Sequence, residues 1–171
     1  MNSYTQLARQ AIETYIKEEK TISLPKNLPA KMTTTRAGVF VTIKNGEQLR
    51  GCIGTYEPTK PNIAKEIIAN AIAAATNDYR FSPITTAELP KLSYEISILS
   101  EPELVKDISK LDPKKFGVLI KTDLGKTGLL LPDLEGIDTT ERQLEAVYQK
   151  CDADPEHEKI TIYKFTVEKY E

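Results

Sequence analysis

Three stretches of the chain repeat apolar residues at the three-and-four spacing of one helical face. Residue types that cap helices precede them, namely Ser3 with Gln6, then Asn62, then Asp138 with Glu141. Between these stretches the apolar residues alternate with polar ones or form short continuous runs. The chain is therefore predicted to form three helices, over residues 3–19, 62–76 and 138–151.

The clearest local signal is a β-hairpin over residues 38–55. Its two arms are rich in β-forming residues, and the dipeptide Asn45-Gly46 between them is typical of a two-residue type I′ turn. Because paired residues share a face of a sheet, the register follows from the position of the turn. Counting outward from this turn puts four residues on one face, paired as Val41 with Arg50 and Val39 with Cys52.

Alternating or continuous apolar runs predict four further strands. Residues 21–35 contain two prolines and are expected to form an irregular connection. The first strands form a hairpin, and the helices are interspersed irregularly among the strands, which argues against a repeating βαβ array. The predicted fold is α+β, with a mixed or antiparallel sheet packed with about three helices. The four further strands are predicted over residues 92–99, 116–121, 128–131 and 159–167.

The length of 171 residues fits one domain with a substantial core, so we expect a single domain over residues 1–171. Its 23 basic and 25 acidic side chains give a net charge of −2, and no basic run appears. A nucleic-acid partner is therefore not expected. No apolar run approaches the roughly 20 residues that a membrane span needs, so no membrane partner is expected either.

Cysteine and histidine usage limits the possible metal and redox chemistry. The first residues lack the basic and apolar stretches of a signal peptide, so we expect a cytoplasmic protein in which Cys52 and Cys151 are reduced and not bonded to each other. His157 is the only histidine, and no Cys-x-x-Cys pattern occurs. A zinc site is therefore not expected, and no cofactor is predicted.

The segment Leu49–Thr55 carries the most unusual combination of residues. Gly51 and Gly54 weaken a strand and are typical of places where another group approaches the backbone closely. On a regular strand, Arg50 and Cys52 project to one face, and an arginine beside a thiol favours the reactive thiolate. The competing interpretation is that Cys52 is a small core residue, since free cysteine is often buried.

A second candidate segment, residues 78–83, follows the predicted second helix. Asp78, Arg80 and Phe81 here could present a carboxylate, a guanidinium group and an aromatic ring to a ligand. They could equally form a local Asp–Arg pair with Phe81 filling the core. From the residues alone the two interpretations are compatible.

Taken in order, these segments resemble the AMMECR domain family, whose bacterial and archaeal members are called AmmeMemoRadiSam system protein A. The family hallmark Leu-Arg-Gly-Cys-Ile-Gly is complete at residues 49–54, and the Asp-x-Arg-Phe-x-Pro loop matches at residues 78–83. Residues 95–100 and the Leu-Leu-Pro element at residues 130–132 match as well. The resemblance covers about residue 37 to the C-terminus.

The resemblance implies an α+β fold with a larger and a smaller subdomain. It also implies two partners, a radical-SAM protein and a Memo-type protein that is similar to extradiol dioxygenases. It implies no reaction, so the sequence leaves open whether the protein is an enzyme. One hypothesis is a small-molecule component, binding or catalytic, and the other is a non-catalytic module that docks a partner enzyme.

We expect Arg50, Asp78 and Arg80 to converge on one concave region near Gly51 and Gly54. Phe81 would form part of its wall, and Cys52 would be the catalytic candidate at its edge. The reasoning is that glycines leave space and that two guanidinium groups beside one carboxylate leave a net positive charge. Such a region suits a small anionic ligand held by bidentate hydrogen bonds. The alternative is that Asp78 neutralises one arginine in a structural pair.

Overall fold

The computed structural model describes residues 2–171 and confirms the α+β class. These residues form four α-helices and eight strands. The helices are α1 (Ser3–Glu18), α2 (Ala30–Thr34), α3 (Ile63–Thr76) and α4 (Thr140–Cys151). The strands are β1 (Val39–Asn45), β2 (Gln48–Thr55), β3 (Leu92–Leu99), β4 (Glu103–Leu104), β5 (Gly117–Thr122), β6 (Thr127–Leu130), β7 (Ile160–Phe165) and β8 (Val167–Tyr170).

Helix capping follows the expected chemistry, but two of the three capping residues were predicted one position off. Asn62 caps α3 as predicted, through a 3.0 Å hydrogen bond that its Oδ1 accepts from the backbone N–H of Lys65. Asn2, not Ser3, caps α1, and Thr139, not Asp138, caps α4. In each case the neighbouring residue's side-chain oxygen reaches the free N–H groups of the first turn.

Residues 21–35 and 159–167 contain more structure than was predicted. The short helix α2 lies within the first of these segments, which was expected to be irregular throughout. The second segment was predicted as one strand, but it divides at Thr166 between β7 and β8, which belong to different sheets. Ser100 takes the backbone hydrogen bonds of Thr166 at this break, donating to its C=O and accepting from its N–H, both at 2.9 Å.

The structure has two antiparallel sheets where the sequence predicted one, and they lie in two compact units. The first unit runs up to Leu99 and includes Glu168–Glu171. Its sheet has the strand order β2-β1-β3-β8, and α1 and α3 pack on one face of it. The fully buried side chains at the centre of this core are Leu7, Ile12, Val39, Val41, Ile43, Ile63, Ile67 and Ile96.

The second unit, Ser100–Val167, is smaller. Its sheet has the strand order β4-β7-β5-β6, and α4 packs against β5 and β6. The buried core residues of this unit are Leu111, Val118, Ile120, Leu144 and Val147.

The predicted hairpin forms from β1 and β2, but its predicted turn and register are wrong. Asn45 pairs with Gln48, so Gly46 and Glu47 occupy the loop, and only Gly46 has a positive φ, at 61°. A type I′ turn needs positive φ at both central positions, so this is a different turn. The observed register pairs Val39 with Thr55, Val41 with Ile53, Thr42 with Cys52, Ile43 with Gly51 and Lys44 with Leu49.

A β-bulge explains the altered faces of β2. The register shifts between Ile43 and Lys44, where Arg50 is the extra residue of β2. An extra residue reverses the alternation of the strand beyond it. Cys52 therefore lies on the face of Thr42 and not, as predicted, on the face of Val39 and Val41. Period-two counting does not apply to Arg50 itself, because it lies in the bulge.

Candidate functional site

Cys52 lies on the edge strand β2, and the Asp78–Arg80 pair satisfies its backbone groups. Asp78 Oδ2 accepts a 2.9 Å hydrogen bond from the backbone N–H of Cys52. Arg80 Nη2 donates to the backbone C=O of Cys52 at 3.4 Å. Because β2 is the first strand of the sheet, no neighbouring strand is available for these groups. The Asp78–Arg80 pair therefore takes the place of a neighbouring strand at this position.

The Asp78–Arg80 pair has bidentate geometry. Arg80 Nη2 lies 2.7 Å from Asp78 Oδ2, and Arg80 Nε lies 3.0 Å from Asp78 Oδ1. The hydrogen bonds from the Arg80 guanidinium hold the pKa of Asp78 well below its usual range, although burial of the carboxyl group opposes that shift. The Asp78 side chain is 4% exposed, whereas that of Arg80 is 44% exposed. Asp78 is thus an ionised anchor, and Arg80 is the member of the pair that solvent reaches.

Arg50 has its own carboxylate partner, Glu88, which sequence reasoning missed. Arg50 Nε donates to Glu88 Oε1 at 2.6 Å, and Nη2 donates to Glu88 Oε2 at 3.3 Å. The Arg50 bonds, with those from Thr85, lower the pKa of Glu88 to about 2. The spacing Thr85-x-x-Glu88 was an available signal, because it is the capping-box pattern and Thr85 donates to Glu88 through both its N–H and its hydroxyl.

Phe81 brings the two arginines into one locality. The Arg50 Cζ lies 5.9 Å from the centroid of the Phe81 ring, and the Arg80 Cζ lies 5.5 Å from it. Both distances are within the range of cation–π contacts. With Glu88 present, two guanidinium groups face two carboxylates. The predicted net positive charge is therefore wrong, although the structure does bring the predicted arginines together.

Cys52 is a partly exposed residue, and its thiol contacts the hydroxyl of Thr42, with 3.3 Å between Sγ and Oγ1. Thr42 was not among the predicted site residues, because the predicted register paired it elsewhere. Cys52 and Cys151 are both free thiols, as expected. Cys52 is thus more accessible than the core interpretation requires.

Gly51 and Gly54 face space that the protein itself fills. A Cβ atom on Gly51 would lie 2.3 Å from the backbone oxygen of Ala74 in α3, and one on Gly54 would lie 2.2 Å from the ring of Phe40. The expectation that these glycines leave open space for a ligand is wrong. Their absent side chains allow close packing of β2 against α3 and against Phe40. A role for either residue in ligand binding stays a prediction.

Within residues 2–171, one group of side chains has the spacing that a metal ion would need. Asp154, Glu156 and His157 are the group in this range whose possible ligand atoms lie within 4.8 Å of one another, and all three residues are exposed. His157 Nδ1 already lies 2.7 Å from Asp154 Oδ2. No helix in the same range is both long and apolar enough to span a membrane.

Glu88 is expected to make the protein sensitive to acid. Its folded-state pKa of about 2 is below the unfolded value of about 4.3, so its stabilising contribution is full above the unfolded value and is lost as pH falls toward the folded one. From pH 6 to pH 3 this group should account for a loss of about 1–2 kcal/mol. Urea unfolding of the wild type and of Glu88→Gln at both pH values measures the difference.

The control for this measurement is Glu47→Gln, which removes an exposed carboxyl from the loop of the hairpin. The wild type and Glu47→Gln should lose similar stability in acid, and Glu88→Gln should lose less than either. Equal acid losses in all three proteins would contradict the assignment.

The chain is similar to known proteins over nearly its whole length. The AMMECR1 family model matches residues 5–170. A Thermotoga maritima protein is 48% identical over 168 residues, covering 98% of this chain and 96% of that protein. A Clostridium acetobutylicum protein is 44% identical over 168 residues, covering 98% of this chain but 35% of that protein, so this chain spans about a third of that relative's length.

The fold has a solved counterpart. The crystal structure of a Pyrococcus horikoshii protein, described as uncharacterized, matches with a TM-score of 0.88 and 33% sequence identity. The match covers 97% of this chain and 88% of that one. The family model, the sequence relatives and the solved structure thus match nearly the entire chain, and the chain belongs to the AMMECR1 family.

Proposed function

We propose that this protein holds a small anionic ligand at the Cys52 surface, defined as Cys52, Asp78, Arg80 and Phe81, as a binding or catalytic component. In this proposal it acts with a radical-SAM protein and a Memo-type protein, the partners that the family resemblance implies. The observation that carries the proposal is the 44% exposed side chain of Arg80, which pairs bidentately with Asp78 and donates to the backbone of the partly exposed residue Cys52.

The geometry of Arg80 supports recognition of an anion. Its Nε and Nη2 are bound by Asp78, and no residue in the described range accepts a hydrogen bond from its Nη1. A guanidinium oriented in advance loses less rotamer freedom when it binds a carboxylate or phosphate. Arg80 can therefore offer Nη1 to a ligand while Asp78 keeps its orientation fixed.

Arg50 has a supporting role in this proposal. Its side chain is 15% exposed, and its Nε and Nη2 are occupied by Glu88. It contacts Phe81 from one position while Arg80 contacts the same ring from another. Both arginines thus contact the ring of Phe81, and Arg50 supports the ring. Arg80 is the arginine that binds the ligand in this proposal.

Cys52 supplies the reactive group of the proposed site. Arg80 donates to the backbone C=O of Cys52, so in this proposal a ligand held by Arg80 binds next to this residue. A nucleophilic role and a simple contact role both use this position. Cys52 and Cys151 are both free thiols, which is typical of a protein in a reducing compartment. On this basis we propose that the protein is cytoplasmic.

Phosphate is the probe for the test, because it presents the oxygen geometry that guanidinium groups bind. Titration of isotope-labelled protein with phosphate, followed by NMR, should shift the amide signals of Cys52 and Arg80 in a saturable way. Arg80→Gln should weaken binding by roughly tenfold or more, since a charge-assisted hydrogen bond is lost. Arg80→Lys should weaken it less, because the charge is kept.

Arg9→Gln is the matched control. Arg9 has a similarly exposed side chain, at 41%, and it also pairs with a carboxylate, Glu13. It should bind phosphate like the wild type. The proposal fails if Arg80→Gln, shown to be folded by its thermal melt, binds phosphate as tightly as Arg9→Gln, or if Cys52 and Arg80 show no saturable shifts.

The alternative function, a module that docks a partner enzyme, has its own support. Tyr79, between the anchor Asp78 and Arg80, is 96% exposed, and Leu49 is 41% exposed. Exposed tyrosines next to arginines are typical of interface centres. In the Clostridium acetobutylicum relative, the counterpart of this chain is joined to further sequence that makes up most of the protein, which also supports association with other domains.

Tyr79→Ser separates the two functions. If docking is the function, this variant loses binding to the purified radical-SAM or Memo-type protein while phosphate titration stays unchanged. If ligand binding is the function, Arg80→Gln has the larger effect and Tyr79→Ser binds phosphate normally.

A further inference from the structure

A cavity in the first unit is lined by none of the residues of the Cys52 surface. It has a volume of about 820 Å³ and is bounded by the C-terminal half of α1, by residues 21–24 and by α3. This volume falls within the range of about 300–1,000 Å³ that is common for small-molecule sites. The apolar wall of the cavity consists of Tyr15, Ile22, Leu24, Ile68 and Ile72.

The charged groups of this cavity are all positive. Lys60 and Lys65 line it, and no aspartate or glutamate does. Neither ammonium group pairs with a carboxylate anywhere in residues 2–171. The nearby Glu66 is fully buried, and its carboxylate accepts four hydrogen bonds, from Thr55, Thr59 and the backbone of Lys60. The cavity thus combines an apolar wall with two unpaired cations.

The two lysines lie at the N-terminal end of α3. Asn62 caps the helix, Lys65 lies in its first turn, and Lys60 precedes the cap. The N-terminal end of a helix carries a partial positive charge from its aligned peptide dipoles. The carboxylate of Glu66 in the same turn offsets part of this potential, but it is buried and already bonded to Thr55, Thr59 and the backbone of Lys60, so the charged groups that line the cavity are the two lysines.

We propose that this cavity binds an amphipathic organic anion, with an apolar body along α1 and α3 and a carboxylate or phosphate head at Lys60 and Lys65. An apolar ligand without charge would leave the two ammonium groups unused. A small inorganic anion would leave the apolar wall exposed to water. The combination of both features selects a molecule with both parts.

Decanoate is the probe for the carboxylate form, and decanol is its uncharged counterpart. Calorimetric titration of the full chain should give saturable binding of decanoate at one site and clearly weaker binding of decanol. The double variant Lys60→Gln/Lys65→Gln should weaken decanoate binding by about fivefold or more, because two ionic contacts are lost. It should leave decanol binding nearly unchanged. The control Lys91→Gln/Lys106→Gln removes the same charge from exposed positions outside the cavity and should bind decanoate like the wild type.

A cavity-filling variant locates the apolar part of the ligand. Ala69 lines the cavity from α3, so Ala69→Leu fills space there and should weaken decanoate and decanol alike, whereas Ala69→Ser should not. The proposal is overturned if decanoate shows no saturable binding, if decanol binds as tightly as decanoate, or if the lysine double variant matches its control. If the lysine double variant loses decanoate binding but keeps the phosphate-induced shift of the Cys52 amide signal, the two sites are independent.

Discussion

Gly51→Ala is expected to destabilise the protein by about 3 kcal/mol or more, as the severe end of overpacking. The added Cβ would lie 2.3 Å from the backbone oxygen of Ala74. A backbone atom of a packed helix cannot move aside as the end of a flexible side chain can, so β2 and α3 would have to separate. Thermal unfolding should show a fall in the melting temperature of roughly 6–12 °C, given about 2–4 °C per kcal/mol at this chain length.

Gly46→Ala, in the same hairpin, is the control. A Cβ on Gly46 has nothing within 4 Å, so only its positive φ of 61° opposes the substitution. That strain is about 1–2 kcal/mol, and the melting temperature should fall correspondingly less. If Gly51→Ala melts like Gly46→Ala, β2 does not pack on α3 as closely as the structure has it. A folded Gly51→Ala that loses phosphate binding would instead favour a direct role of Gly51 in the ligand site.

Glu66→Ala is expected to cost about 3 kcal/mol, for a different reason. The fully buried carboxylate of Glu66 accepts hydrogen bonds of 2.7–2.8 Å from two threonine hydroxyls and from the backbone N–H groups of Thr59 and Lys60. Alanine leaves all four donors without this acceptor. An unsatisfied donor costs about 1–3 kcal/mol when it is buried, and since Thr59 and Lys60 are exposed, water can replace part of what is lost. The free energy of urea unfolding at neutral pH measures the loss.

Glu66→Gln is the matched variant, because it keeps the size and one oxygen acceptor. Its amide can donate to the hydroxyls of Thr55 and Thr59, which can turn to accept, while its oxygen still accepts from the backbone. The expected loss is about 1 kcal/mol, well below that of alanine. Equal losses in Glu66→Gln and Glu66→Ala would mean that the negative charge matters more than the number of hydrogen bonds.

Helices and strands with strong local signals were predictable from the sequence. The cap Asn62 and the apolar face behind it placed α3 to within a residue, and alternation placed β3 over Leu92–Leu99. Both signals lie within one element, so no distant residue had to be known. The caps of α1 and α4 were less certain, because adjacent residues there can all accept from the first turn.

The proximity of four predicted residues was predictable, but the contacts that they make were not. Arg50, Asp78, Arg80 and Phe81 do lie in one locality, as their unusual polarity suggested. The alternation rule then failed at the bulge containing Arg50, and Cys52 moved to the other face. A bulge depends on how β2 packs against β1, which hydrophobic patterning along one strand does not report.

Local periodicity and helix caps were thus sufficient for the class of fold and for most element positions, since their energies come from neighbours along the chain. The Asp78–Arg80 pair is local and was one of the alternatives that the sequence offered, whereas the partners of Arg50 and of the Cys52 backbone were decided by tertiary structure. Arg50 pairs with Glu88, 38 positions away, and the backbone of Cys52 pairs with Asp78, 26 positions away. Whether a guanidinium is satisfied by a carboxylate or left to solvent depends on which groups the packed elements bring within about 3 Å. That choice leaves the Arg80 side chain 44% exposed and the Arg50 side chain 15% exposed, a difference that no pattern in the sequence predicts.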